Sequence, residues 1–360
     1  MYFPYLKAKQ NEFLALRNCS DRAFGNIIPF FDIPRGTDDD EGSTRNNIKK
    51  AKVYLERLLK VRDLTFYLDV YDIAPTIRPD SAHVYEYVLD QFDGYSVIPV
   101  LGLDREDEHN DAVLNREEKY STVAIRIQVE NLETPKATVA AINMLISDFK
   151  SKVSFDVILD FRVLDEKYAA HIANAVSIIE KLSDNDLVEV IVITGSSIPP
   201  VITELCKPER CEDFKKFEID LFEQVCHQLS HGAYSKLHYG DYTVVSPNYS
   251  DSSIPVGLMR TVQTPKIIYG NESKSIVIRG GALQSKGDAQ FFDLAAILTT
   301  SGIFRGKTFS GADAYIDDVA NRRVASCGNP SKWTNITIEA HLEYFSHIDL
   351  SVNLLRKESA

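Results

Sequence analysis

Short apolar runs rich in β-branched and aromatic residues return along the chain at near-regular intervals, with helically spaced stretches between most of them. The runs are Tyr2–Leu6, Asn26–Ile33, Leu64–Val70, Tyr95–Leu101, Thr122–Val129, Phe155–Phe161, Val188–Thr194 and Tyr239–Ser246. Several, such as Val190–Thr194, are apolar at consecutive positions. Both faces of such a strand must be covered, as in a parallel sheet sheathed by helices. Between the runs, Asn46–Leu59 places Ile48, Ala51, Val53, Tyr54 and Leu58 mostly on one face, and Thr138–Phe149, Ala169–Leu182 and Glu212–Leu229 read the same way. Eight strand–helix units in about 250 residues predict an α/β fold of the (β/α)8, TIM-like class. A doubly wound open sheet would alternate similarly but usually carries Gly-x-Gly-x-x-Gly after its first strand, and none of these runs is followed by one.

The alternation stops after about Pro255, which divides the chain into a barrel over 1–255 and a C-terminal α+β elaboration over 256–360, packed on the barrel. The second segment contains a hairpin, Pro265–Tyr269 and Ser275–Arg279 joined through Gly270-Asn-Glu-Ser, and helical stretches near Ala289–Thr299, Asp313–Arg322 and Thr337–Leu355. Residues 1–255 carry a balance of −14 and residues 256–340 one of +3, so the two are charge-matched for docking. The Asp38–Glu41 acidic run between Gly36 and Gly42 reads as a solvated loop.

Composition narrows the class. With 360 residues, 44% of them hydrophobic, the chain buries a full core without staples. Its net charge of −12 argues against direct nucleic-acid binding, which needs a basic footprint. No apolar run approaches the roughly 20 residues of a membrane span, so no membrane association is expected. Met1-Tyr-Phe-Pro-Tyr-Leu6 lacks a charged n-region and a cleavage site, and the five cysteines are an odd number; together these predict a cytoplasmic protein with reduced thiols.

The opening Met1-Tyr-Phe-Pro-Tyr-Leu-Lys-Ala-Lys-Gln-Asn-Glu-Phe-Leu-Ala-Leu16, the stretch Tyr239-Gly-Asp-Tyr242, the stretch Thr308-Phe-Ser-Gly-Ala-Asp-Ala-Tyr-Ile316 and the end Gly328-Asn-Pro-Ser-Lys-Trp333 leading to His341 resemble, in this order, the bacterial and phage-satellite beta protein family. In the Thr308–Ile316 stretch the family's Gly-Asp reads Ala312-Asp313 here, and the family's paired histidines read Ala340-His341, so no role needing two adjacent histidines is carried over. The resemblance implies a place in anti-phage defence and mobile-element loci, beside a co-encoded protein partner. It supplies no catalytic mechanism.

In a (β/α)8 barrel the active site lies at the C-terminal ends of the strands. Those ends carry Asp32, Asp69, Asp72, Asp104, Gln128, Glu130, Asp160, Arg162, Thr194 with Gly195-Ser-Ser197, and Ser246. Asp and Asn at strand ends also cap the following helix or make turns, so each carboxylate alone has a bland explanation. Asp160 and Arg162 go further, because strand alternation would put them on the same side, each holding the other charged. The candidate catalytic residues are therefore Asp160, Arg162 and Asp69. The candidate ligand-binding residues are Lys9, Asp32, Asp72, Arg126, Glu130 and Tyr242, with Lys7 on the same strand face as Lys9.

Cys206, Cys211, Cys226, His227 and His231 fall within 26 residues, but without tight Cys-x2-Cys spacing they read as ordinary structural side chains, and no zinc is expected. His341, His347 and Trp333 read as packing residues of a half-buried helix. Two functions follow. The first is a defence component that works through a co-encoded partner, with a barrel mouth that binds a small ligand and no cofactor; a homo-oligomer is allowed. The alternative is an enzyme using Mg2+ or Mn2+ at an acidic mouth on a phosphate-containing or nucleotide substrate.

Overall fold

The computed structural model describes residues 1–36, 40–250, 263–348 and 350. All eight apolar runs supply strands of one closed parallel barrel: β1 (Tyr2–Lys7), β2 (Phe30–Asp32), β3 (Phe66–Asp69), β4 (Val97–Gly102), β5 (Thr122–Gln128), β6 (Ser154–Val163), β7 (Val188–Ser196) and β9 (Leu237–Asp241), with β9 closing onto β1. Helices cover the outside, among them Glu41–Leu59, Pro135–Ser147 and Ile172–Ser183. The barrel lumen is packed: Phe3, Tyr5, Phe30, Tyr67, Val100, Ala124, Ile158, Val192 and Tyr242 fill it. Gly240 makes the closure possible, because a Cβ there would lie 2.5 Å from the Phe3 carbonyl oxygen and 3.2 Å from both Tyr5 and Val192.

The stretch predicted as helix from Glu212 divides in two. Cys211–Phe214 is a strand, β8, and the helix starts at Phe217. β8 pairs antiparallel with β11 (Ser275–Arg279), which pairs with β10 (Lys266–Gly270), giving a three-stranded sheet outside the barrel. The hairpin is thus where the sequence puts it, but its third strand comes from the loop between two barrel strands. Helices Gln290–Thr299 and Gly311–Ala320 back this sheet, and Ile267, Tyr269, Ile278, Phe291, Leu298, Ile316 and Trp333 form a second core. The boundary at Pro255, Asp38 and Asp39 of the acidic run, and the end of the predicted helix at Leu355 lie outside the described residues.

Helix Pro330–Phe345 belongs to both cores. Ile338, Leu342 and Phe345 join the main core, while Trp333, Ile336 and Ala340 join the second. Apolar residues all round a helix mean burial on every side. Its neighbours are the first helix, Gln10–Asn18, and the closing strands: Asn335 Nδ2 donates to the Asn11 carbonyl (3.1 Å) and Asn18 Nδ2 to Glu339 (3.1 Å). This is the position of the eighth barrel helix. The sequence reading assigns it to an elaboration because the strand–helix alternation stops after about Pro255; in space it packs beside the last barrel strand, from which 88 residues separate it, and the second core is inserted before it.

Candidate functional site

The register of the barrel sets Asp32 beside Asp69 and Gln128 beside Asp160, so strand ends distant in sequence share one layer at the C-terminal mouth. Three buried carboxylates so close together need a cation. Arg126, one residue pair below the end of β5, supplies it from a wholly buried guanidinium. Its Nη1 donates to Asp32 and to Asp69 (2.8 Å each), its Nε and Nη2 donate to Asp160 (2.9 and 2.7 Å), and Nη2 also donates to the Tyr242 hydroxyl (2.9 Å). Tyr242 in turn donates to Asp160 at 2.7 Å. Arg105, on the loop after β4, adds a second guanidinium to Asp69 at 2.7 Å. Phe30 lies 4.9 Å from the Arg126 guanidinium carbon, and the half-buried Tyr71 ring lies 4.5–4.7 Å from those of Arg105, Arg126 and Arg162.

Charge pairing decides how these acids titrate. Burial alone would raise all three carboxyls. Arg126 and its Arg162 neighbour outweigh this for Asp160, and Arg105 with Arg126 outweigh it for Asp69, so both are held below the usual range. Asp32 keeps the burial effect and rises to about 6, with Asp69 and Asp72 adding to the push.

Arg162 is not where simple alternation puts it. The β6–β7 register shifts between Asp160 and Val163, and Arg162 takes a left-handed φ of 52°. Its backbone N–H donates to Asp160 Oδ1 at 2.9 Å, an Asx-type turn, and its guanidinium swings away from Asp160. There Nη2 donates to Asn248 Oδ1 (2.8 Å) and the Pro247 carbonyl (3.1 Å), and lies 3.4 Å from Asp72. The direct ion pairs are therefore Asp160 with Arg126 and Arg162 with Asp72, while Arg162 still helps to hold Asp160 charged without touching it through its guanidinium. Lys7 joins this outer group, 4.0 Å from Asp72 and with its ammonium 3.2 Å from the centre of the Tyr249 ring. Burial brings Lys7 down to about 8 against the pull of Asp72.

The outer group is incompletely bonded. Arg162 Nη1, Gln128 Nε2, Thr194 Oγ1, Asp72 Oδ2 and the Tyr249 hydroxyl are buried atoms with no hydrogen-bond partner among the described residues. Lys9 lies at the rim, 5.6 Å from the Tyr249 ring. Two expected members stand apart: Glu130 is exposed on the turn after β5 with no ion pair or hydrogen bond among the described residues, and Asp104 is exposed after β4. Arg105 and Tyr71 are the residues sequence reasoning missed. Both sit on loops, where no periodicity marks direction.

A second buried network lies on the outer face of β9. Asp241 accepts from the Tyr2 hydroxyl (2.6 Å), the Tyr239 hydroxyl (2.9 Å), Lys216 Nζ (3.2 Å) and the Thr243 backbone N–H (2.9 Å), and His341 Nε2 lies 2.9 and 3.0 Å from its two oxygens. His341 and Lys216 hold Asp241 far below the ordinary carboxylate range despite its burial, which also brings His341 down to about 4. His341 is thus neutral at pH 7 and donates through Nε2. The network locks helix Pro330–Phe345 to β9.

Cys206 is buried in the loop before β8, Cys211 is exposed on β8, and Cys226 is buried at the end of helix Phe217–Cys226.

An eight-stranded parallel barrel, tied at its mouth by one buried arginine and closed by a helix delivered after a long insertion, defines the architectural class. Within it, the chain belongs to the Beta protein family, whose model matches residues 2–347. It is similar to "Protein beta" of Enterobacteria phage P4, at 22% identity over 367 aligned positions covering 97% of this chain and 93% of that protein. No solved structure matches the chain. The motif residues now have places: Asp241 meets His341, Tyr242 meets Arg126, buried Asp313 accepts from Tyr269, and Trp333 stacks on Phe291 at 5.0 Å. Among the described residues no helix is long and apolar enough to cross a membrane.

Proposed function

We propose that the protein is a component of anti-phage defence whose barrel mouth is a receptor for a small anion carrying a phosphate group, with a co-encoded protein partner transmitting the response. The observation that carries the ligand part is the buried, unpartnered Arg162 Nη1, whose guanidinium shares Asp72 with Lys7, beside the unpartnered Gln128 and Thr194 on the strands that flank Asp160. A buried guanidinium N–H needs an acceptor, and a phosphate oxygen at this place would satisfy it. The defence and partner parts rest on membership of the family.

A divalent-metal enzyme at the same mouth is the weaker reading. Asp32, Asp69 and Asp160, the carboxylates best placed to ligate a cation, already receive Arg126. A metal would have to displace a wholly buried guanidinium.

Thermal-shift titration tests the ligand part, since anything bound by the native state alone raises its melting temperature. Inorganic phosphate and phosphorylated metabolites are expected to raise it in the intact protein and to lose that effect in Arg162→Ala. Mg2+ or Mn2+ alone is expected to do nothing. A metal-only shift, or a phosphate shift unchanged in Arg162→Ala, overturns the reading. In cells, Arg162→Ala expressed at normal level is expected to lose phage protection, read by plating efficiency.

A further inference from the structure

Beside the mouth, a pocket of about 470 Å3 opens between the end of β1, the loop after β7, the loop after β9 and the first turn of helix Pro330–Phe345. Its walls are chemically divided. Lys7, Lys9 and Lys266 line it, and Ser331 and Thr334 bring the positive end of the helix to the same space. Ile198, Pro199, Pro200, Ile202 and Val245 form an apolar wall. Among the described lining residues there is one acid, Glu12.

Glu12 is the independent observation. The residue is only 5% exposed, yet among the described residues its carboxyl takes no hydrogen bond from another side chain and forms no ion pair, although two lysines lie close by in sequence and line the same space. Its place in the first turn of helix Gln10–Asn18 gives it macrodipole support and a hydrogen bond from its own backbone N–H, which leaves the rest of the carboxyl's bonding capacity open. Burial pushes its carboxyl up to about 7, so near neutral pH it can serve as an acceptor and, when protonated, as an O–H donor. That suits ligand hydroxyls better than a second cation.

We propose that this pocket binds a nucleotide, with the phosphate against Lys7 and Lys9 at the mouth, the sugar hydroxyls on Glu12, and the base on the Ile198–Ile202 wall. The proposal rests on the reading of the mouth as a receptor for phosphate-bearing anions and names the class of that ligand. The volume fits a nucleotide, which lies within the range of small-molecule sites. A lone phosphate would leave Glu12 and the apolar wall unused. A phosphosugar would leave the apolar wall unused.

Calorimetric titration of the full chain with inorganic phosphate, ribose 5-phosphate, adenosine and the four common nucleoside monophosphates tests this. At least one nucleoside monophosphate is expected to bind about tenfold or more tighter than inorganic phosphate. Glu12→Gln and Ile202→Trp, chosen because the first is isosteric and the second fills the pocket from its partly exposed wall, are each expected to weaken that nucleotide about tenfold while leaving phosphate affinity unchanged. Lys7→Ala is expected to weaken both. If phosphate binds but no nucleotide binds tighter, or if Glu12→Gln and Ile202→Trp leave nucleotide affinity unchanged, the nucleotide assignment falls and the phosphate-receptor reading stands. If neither phosphate nor nucleotide binds, both fall.

Discussion

Asp241 and Tyr242 are adjacent at the end of β9, yet they serve different networks. Asp241 points out of the barrel to His341, Lys216, Tyr2 and Tyr239, and its oxygens are fully engaged. Tyr242 points in to Arg126 and Asp160, and just above that pair the bonding becomes incomplete at Arg162, Gln128 and Thr194. Buried charge by itself does not distinguish structure from function. A network that satisfies its own members is structure, because removing any one strands the rest. A network with unsatisfied donors facing one opening has room for something else.

The largest expected effect is at the floor of the mouth. Arg126→Leu strands three carboxylates, and a loss of about 3–5 kcal/mol in urea unfolding is expected. An unchanged midpoint would show that the acids do not depend on the guanidinium. Asp241→Ala, which strands Lys216 and two tyrosine hydroxyls, is expected to cost about 3 kcal/mol. It should also make helix Pro330–Phe345 the first region to exchange amide hydrogens, which a loss spread evenly over the barrel would contradict.

Asp160→Asn comes next. It keeps the shape but removes the charge facing Arg126, and about 2 kcal/mol of destabilisation is expected. Sequence reasoning put this position on the same side as Arg162; the geometry gives the two different direct partners. Arg162→Ala, 13% exposed and on the open side, is expected to cost about 1 kcal/mol or less while removing the ligand response. Equal losses from both variants would erase the distinction between floor and rim.

Acid sharpens the comparison, because one member of each network, His341 and Asp32, responds with opposite sign. His341 is held neutral, its pKa reduced from 6.5 to about 4, so its contribution is complete above pH 6.5 and is lost as pH falls towards 4. Asp32 is raised from 3.8 to about 6, so its burial penalty is present above pH 6 and is relieved over the same descent. Relative to the parent, His341→Gln is expected to remove stability loss between pH 6.5 and 4, and Asp32→Asn to remove a stability gain there. Parallel denaturation series at pH 7, 5.5 and 4.5 read both signs, and identical profiles for the two variants would contradict the assignment.

Much of the fold was legible because it depends on local period. The eight strands, the Lys266–Arg279 hairpin and most helices follow from the spacing of apolar residues, and a run such as Val190–Thr194 declares burial on both faces. The same period misplaced Glu212–Phe214, where Ile276 and Val277 on β11 recruited a short polar segment into a sheet edge that propensity does not predict. It likewise leaves out how helix Pro330–Phe345 meets the barrel, since sequence separation hides its contact with Asn11 and Asn18.

For the site, the sequence by itself determined which carboxylates stand at strand ends: Asp32, Asp69 and Asp160 can be read from strand position alone, with Arg126 inside the fifth strand. Only the tertiary structure decided their partners. Barrel closure brings Asp32 within 2.8 Å of Arg126, 94 positions away, and a local shift of register turns Arg162 from Asp160 towards Asp72 and Asn248. The physical reason is that periodicity fixes which face a residue takes within its own element, whereas ion pairing at a few ångströms depends on the stagger between elements, which is set by closure of the whole barrel.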